Sequence, residues 1–114
     1  MLSQNHRLTQ KKDIDLVKEK GKSKRFKHFT LLFYNRKDDG PARFGFIVSK
    51  KVSPHAVVRN KVKRGLSEGV RQNMIYVKVG LDCLVIAHTE AARAYTSELM
   101  HKIDEALKLS KLTK

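Results

Sequence analysis

The chain has 114 residues, 40% of them apolar, which is enough for one compact domain; Trp is absent and aromatics are few, so its core should be mainly aliphatic. Lys and Arg number 25 against 11 Asp and Glu, a formal charge of +14 that repels itself unless a polyanion is present, nucleic acid first and an anionic membrane surface second. A lone cysteine excludes an intrachain disulfide and fits a reducing compartment, no apolar run reaches the ~20 residues of a membrane span, and residues 1–7 lack a signal-peptide core, so a cytoplasmic location is expected.

Residues 1–8 are polar and read as loose. Residues 9–20 read as a helix, with Thr9 as N-cap, Gly21 just past the end, and a thin apolar stripe of Ile14 and Val17 beside Leu16. Residues 18–27 hold Lys18, Lys20, Lys22, Lys24, Arg25 and Lys27, a charge run that serves equally as a solvated face or an RNA contact. Residues 28–34 read as a strand with Phe29, Leu31 and Phe33 on one face. Lys37-Asp38-Asp39-Gly40-Pro41 is turn chemistry and predicts an antiparallel return. The returning strand spans about 43–50, with Phe44, Phe46 and Val48 pointing one way and Gly45, Ile47 and Ser49 the other.

Ser53-Pro54-His55 breaks that strand and leads into a helix over 56–73, where Val58, Val62, Leu66 and Val70 step by four. At ~100° per residue, Asn60, Arg64, Ser67 and Arg71 form a second stripe, with Arg59 and Lys63 between the two. Gly65 and Gly69 each cost this helix about 1 kcal/mol relative to Ala, so tertiary packing must hold it or the glycines permit close backbone approach. Residues 74–80 fit a fraying helix end or a short extended piece. Residues 82–87 are a short apolar run, suited to a buried central strand. Thr89 should cap a last helix to Leu109, with Tyr95, Leu99, Ile103 and Leu107 on its apolar side. The order helix, strand, strand, helix, strand, helix predicts a single α/β (α+β) domain over 1–114. Its architecture is a two-layer sandwich, a mixed sheet with helices packed on it.

Catalytic groups are missing from this pattern. His6, His28, His55, His88 and His101 lack Zn-ligand spacing, and Cys83 has no second thiol nearby, so no metal site is expected. Cys83 with His88 could be a nucleophile and base, but Cys83 in an apolar strand reads more simply as a small core residue. Asp13/Asp15, Asp38-Asp39 and Asp104-Glu105 read as solvated surface, and no Gly-rich phosphate loop precedes a helix. The basic stretch Arg59-Asn60-Lys61-Val62-Lys63-Arg64 is different, because helix phase fixes its cations in one geometry. We expect nucleic-acid contact at Arg59, Asn60, Lys61, Lys63 and Arg64, extended by Arg71 one turn on and by Lys50 and Lys51 at the strand end.

Phe44-Gly45-Phe46-Ile47-Val48-Ser49-Lys50-Lys51 followed by Ala56-Val57-Val58-Arg59-Asn60-Lys61-Val62-Lys63-Arg64 resembles the protein component of bacterial ribonuclease P. Asn5-His6-Arg7-Leu8 before a lysine-rich helix and Gly21-Lys22-Ser23 looks like that family's N-terminus. Gly80-Leu81-Asp82-Cys83-Leu84-Val85-Ile86-Ala87 looks like its C-terminal half. The resemblance implies a left-handed β-α-β crossover. It implies a protein that binds the catalytic ribonuclease P RNA and the 5′ leader of precursor tRNA and assists endonucleolytic removal of that leader. Hydrolysis then belongs to the RNA and its Mg²⁺ ions; the protein binds no cofactor alone and requires no protein partner. Arg59, Asn60, Lys63 and Arg64 match the motif that meets the RNA, whereas Lys61 and Ser67 stand where Arg is common and Gly65 where a bulky residue is usual. The leader cleft of the family maps to Ile14, Lys18, Leu32 and Ile47, where aromatic residues are often found; their replacement here implies a more electrostatic, less base-sensitive leader contact. The alternatives are a ribosomal or chaperone-like RNA-binding protein without an enzymatic partner, and an autonomous nuclease, which the lack of clustered acids and histidines opposes.

Overall fold

The computed structural model describes residues 2–114. Four strands form one mixed sheet: β1 (Lys22–Arg25), β2 (Phe29–Asn35), β3 (Arg43–Ile47) and β4 (Leu81–Ala87), in the spatial order β1-β2-β4-β3. Three helices complete the fold: α1 (Lys11–Lys20), α2 (Ala56–Asn73) and α3 (Thr96–Leu109).

Strand alternation splits the apolar residues between the two sheet faces. Phe29, Leu31 and Phe33 of β2, Phe44 and Phe46 of β3, and Cys83 and Val85 of β4 join the main core with Val62, Leu66, Leu99 and Ile103 of α2 and α3. Each fully buried Leu, Ile, Val or Phe contributes about 1.5–3 kcal/mol there. On the other face, Leu32 and Tyr34 of β2, Ile47 of β3, and Leu84 and Ile86 of β4 meet Leu8 and the Ile14 and Val17 side of α1. The sandwich of sheet and helices is thus as expected, with α1 covering part of the second face.

The strand β4 is central, as its apolar run predicts, and all its residues but Ile86 are buried. It pairs antiparallel with β2 and parallel with β3, so β2 and β3 run in opposite directions but are not neighbours. The expected tight return therefore gives way to a wider connection that spans the width of β4, about 10 Å. Arg36 organises it. Its backbone N–H donates to Gly80 O at 2.8 Å, and its side chain donates to Asp38 Oδ1 at 3.0 Å and to Pro41 O at 2.9 Å. Gly80 approaches this connection so closely, at φ +78°, that a Cβ would lie 2.4 Å from Asp38 O. The crossover from β3 to its parallel neighbour β4 runs through α2.

At the same end of the sheet sits Asp82, 1% exposed. Arg43 grips it with both arms of a fork, Nε to Oδ1 at 2.8 Å and Nη2 to Oδ2 at 2.8 Å, and Arg36 Nη1 donates to Oδ1 as well. Arg43 also reaches Asp13 of α1 at 3.5 Å, so Asp13 is half-buried and paired rather than freely solvated. The hydrogen bond to Asp82 raises the pKa of Arg43, as carboxylate pairing should.

Other sequence expectations shift in detail. Helix α1 starts at Lys11 with Gln10 at the cap position, two residues after Thr9. The basic run, which serves equally as a solvated face or an RNA contact, contains a strand: β1 pairs antiparallel with β2, and its four side chains are all exposed. Residues 2–8, read as loose, lie against the sheet, because Leu2 and Leu8 are buried and Leu8 N–H donates to Phe44 O at 3.0 Å. Helix α2 has the expected bounds and the expected buried stripe through Val62, Leu66 and Val70. Gly69 lets α3 close on it; a Cβ there would meet Met100 Cα at 3.0 Å. The last helix begins at Thr96 after a 3-10 turn over Thr89–Arg93, and Tyr95 falls outside its buried stripe at 75% exposed. Asp82→Ala removes the buried acceptor that two partly buried guanidiniums share, leaving Arg36 to Asp38 and Arg43 to Asp13, and urea denaturation should show a loss of about 2–4 kcal/mol.

Candidate RNA interface

Core packing of Val62, Leu66 and Val70 turns the opposite side of α2 outward and exposes Asn60, Lys61, Lys63 and Arg64. Asn60, Lys63, Arg64 and Ser67 line one wall of a cleft of about 520 Å³. The other walls are Phe44, Gly45 and Phe46 of β3 and the N-terminal Leu2, Arg7, Leu8 and Thr9. The cleft is an apolar trough rimmed by cations, suited to a nucleic-acid backbone with unpaired bases. Among the described residues, no carboxylate lies within ion-pair distance of Lys50, Lys51, Lys61, Lys63 or Arg64.

The structure distributes the expected residues unevenly. Arg59 is half-buried and spends Nη1 on Ser53 O at 3.0 Å, tying the loop after β3 to the first turn of α2. Lys50 and Lys51 are exposed in a turn closed by Val52 N–H to Ser49 O at 3.0 Å; they lie outside the cleft wall, as does Lys61. Ser67, expected on the outer stripe, is 7% exposed and donates to Arg64 O at 3.1 Å. Arg71 is exposed but forked onto Glu68, with Nε at 3.1 Å and Nη2 at 2.9 Å from Oε2. The Glu68 carboxyl is lowered to about 2, with its hydrogen bonds from Arg71 as the largest cause.

Arg7 is the cation that the sequence reading left out of the site. Its Nε donates to Leu2 O at 2.8 Å, and its backbone forms a parallel bridge to Phe44, which brings it to the cleft. The buried leucines on either side of it were the available signal. On the α1 face, Ile14, Leu32 and Ile47 are half-buried in one apolar cluster, and Lys18 is exposed on α1. Cys83 is fully buried, and burial pushes its thiol well up, while His88 is hydrogen-bonded to Thr30 Oγ1 at 2.8 Å; the two form no nucleophile and base. Among the described residues no group of three or more His, Cys, Asp and Glu is placed to hold a metal ion, and no helix is long and apolar enough to cross a membrane.

A mixed sheet that presents a cation-rimmed cleft on one helix defines an RNA-binding domain of the α+β class. The chain belongs to the Ribonuclease P family, whose profile matches residues 2–111. It is 33% identical to the ribonuclease P protein component of Brevibacillus brevis over 99% of this chain and 89% of that protein. Against the corresponding protein of Microcystis aeruginosa the identity is 31%, over 93% and 91%. Its fold matches the ribonuclease P protein of Staphylococcus aureus with a TM-score of 0.87 at 28% identity, covering 96% of this chain and 98% of that one. For the protein of Thermotoga maritima the TM-score is 0.79 at 30% identity, covering 90% and 97%.

Because Arg71 lowers the Glu68 pKa from an ordinary 4.5, this pair stabilises the fold fully above that pH and loses its effect as pH falls toward 2. An NMR titration of the Glu68 carboxyl should show a midpoint near 2 that moves upward in Arg71→Ala.

Proposed function

We propose that this chain works as the protein subunit of a ribonucleoprotein that removes the 5′ leader of precursor tRNA. It docks the catalytic ribonuclease P RNA on α2 and holds the leader on the α1 face of the sheet. The carrying observation is the set of cations without carboxylate partners among the described residues, Lys61, Lys63 and Arg64, on a helix whose opposite side is locked in the core. Asn60 can donate and accept beside them, and Arg7 faces them across the cleft. Lys50 and Lys51 extend the field toward the end of β3. Arg59 serves in part by fixing the loop that places them. Arg71 joins the surface only by exchanging Glu68 for phosphate.

In this reading hydrolysis belongs to the RNA and the Mg²⁺ bound to it. The protein raises effective affinity for substrate and metal by neutralising phosphate repulsion. Ile14, Leu32 and Ile47 supply an apolar floor for the leader, and Lys18 a phosphate contact. Such a reaction places the chain in the cytoplasm, with RNA partners and no protein partner required. Family membership favours this reading over a ribosomal or chaperone-like role.

The test is a reconstitution at low Mg²⁺ of protein, ribonuclease P RNA and precursor tRNA. Cleavage should be enhanced only when both macromolecules are present, and cleavage by the protein alone would overturn the proposal. Lys63→Glu with Arg64→Glu should weaken RNA binding by several kcal/mol with an unchanged far-UV circular dichroism spectrum; wild-type affinity at moderate salt refutes the docking surface. The leader's contribution to precursor binding should fall as salt rises, since phosphate contacts release counterions. Salt-independent leader binding argues for base contacts instead.

A further inference from the structure

A second cationic cleft lies away from α2, where β1 begins and β2 ends. Its volume is about 380 Å³, and Lys20, Lys22, Lys78 and Lys111 line it together with Tyr34 and Ser110. The chain builds it from four separate segments: the junction of α1 and β1, the end of β2, residues 78–81, and the turn after α3. The last two are joined by Lys78 N–H donating to Leu112 O at 2.9 Å.

No acidic residue lines this cleft, and none of its four lysines takes part in an ion pair among the described residues. Neighbouring lysines are used differently. Lys24 Nζ donates to Leu109 O at 3.1 Å, and Lys114 Nζ to Ile75 O at 3.3 Å, so both hold the C-terminal segment in place. Lys20 and Lys111 sit near the C-terminal ends of α1 and α3, where a cation offsets the helix dipole. Lys22 and Lys78 have no such structural duty. Four like charges converging on one hollow repel each other unless an anion enters it.

Tyr34 adds a second kind of recognition. It lies two residues beyond Leu32 on the same face of β2, half-buried against the α1 cluster, and it is among the residues that line the cleft. An aromatic ring beside convergent lysines is the pairing that holds single-stranded nucleic acid, bases on the ring and phosphates on the cations. The Ser110 hydroxyl in the cleft wall has no hydrogen-bond partner.

We infer that this cleft is a second binding site for single-stranded RNA, with backbone phosphates on Lys20, Lys22, Lys78 and Lys111 and a base against Tyr34. The inference rests on the chain being an RNA-binding subunit, and it places a contact on a face distinct from the α2 surface. The strand can come from the catalytic RNA or from a precursor leader, and the chemistry is the same.

The test compares Lys22→Ala with Lys78→Ala, as a double variant, against the control Lys102→Ala with Lys108→Ala, which removes the same charge from α3. One arm measures protein binding to ribonuclease P RNA across a salt series. The other measures binding of the assembled holoenzyme to precursor tRNA and to tRNA lacking a leader. The site variant should lose affinity several-fold in one arm, with the slope of log affinity against log salt shallower by about 1.4 for two single-strand contacts. Loss in the first arm assigns the strand to the catalytic RNA; leader-dependent loss in the second assigns it to the leader. Tyr34→Leu should weaken the same arm without changing the slope, and an unchanged Tyr34→Leu variant overturns the stacking role. A site variant that matches wild type, or loses no more than the control, in both arms overturns the site. Lys63→Glu with Arg64→Glu separates the two failures, because wild-type binding by that variant too would count against the RNA-docking reading itself.

Discussion

The fold turns on one buried carboxylate. Asp82 lies at the start of the central strand, and the two arginines that close on it come from the residue just after β2 and the start of β3. Burying a single carboxylate among apolar residues costs several kcal/mol unless its oxygens are fully engaged. Here both oxygens are, and the engagement goes with the geometry: β4 sits between β3, which carries Arg43, and β2, whose following residue is Arg36. Two short neighbouring segments that could have formed a hairpin are thereby held one strand apart. The same clamp reaches α1 through Arg43 and Asp13, so the helix on the second face is registered to the strand that α2 precedes.

That arrangement explains how so basic a chain folds before RNA neutralises it. Its cations divide by occupation. Arg36, Arg43, Arg59 and Lys24 are absorbed in joining elements, and Arg71 is engaged by Glu68. The remainder project outward, Lys61, Lys63 and Arg64 among them, where solvent and salt weaken their repulsion without removing it between near neighbours. Helix α2 can therefore carry core and charge together. Its glycines also earn a reason: Gly69 brings α3 into backbone contact, which supplies the packing that helix propensity withholds.

Much of this was legible in the sequence, for identifiable reasons. Pro54 and the four-residue steps from Val58 to Val70 marked α2 to the residue, and the apolar run after Asp82 marked a central strand. The strand β1 was invisible, since Lys22, Ser23, Lys24 and Arg25 bury nothing and owe their extended form only to pairing with β2. The separation of β2 from β3 was equally hidden, because turn residues state that a chain reverses and not what lies between its arms. In the candidate site, phase placed Asn60, Lys63 and Arg64 together. It missed the burial of Ser67, which faces the cleft lined by β3 and the N-terminal residues, and the capture of Arg71 by Glu68, although that pair has ordinary i,i+3 spacing. The two leucines that anchor residues 2–8 were too few to form a pattern, so Arg7 went unnoticed.

The N-terminal strap and β1 bear on a property apart from catalysis. A mixed sheet has two open margins, each able to recruit another chain's backbone into a growing stack. Along β3 that margin is occupied at Phe44, to which Leu8 donates and Arg7 forms a parallel bridge. Along β1 the margin is open but every side chain on it is exposed, three of the four cationic, so a second copy arriving in register meets like charge. Both margins thereby oppose the edge-to-edge pairing that an open sheet invites.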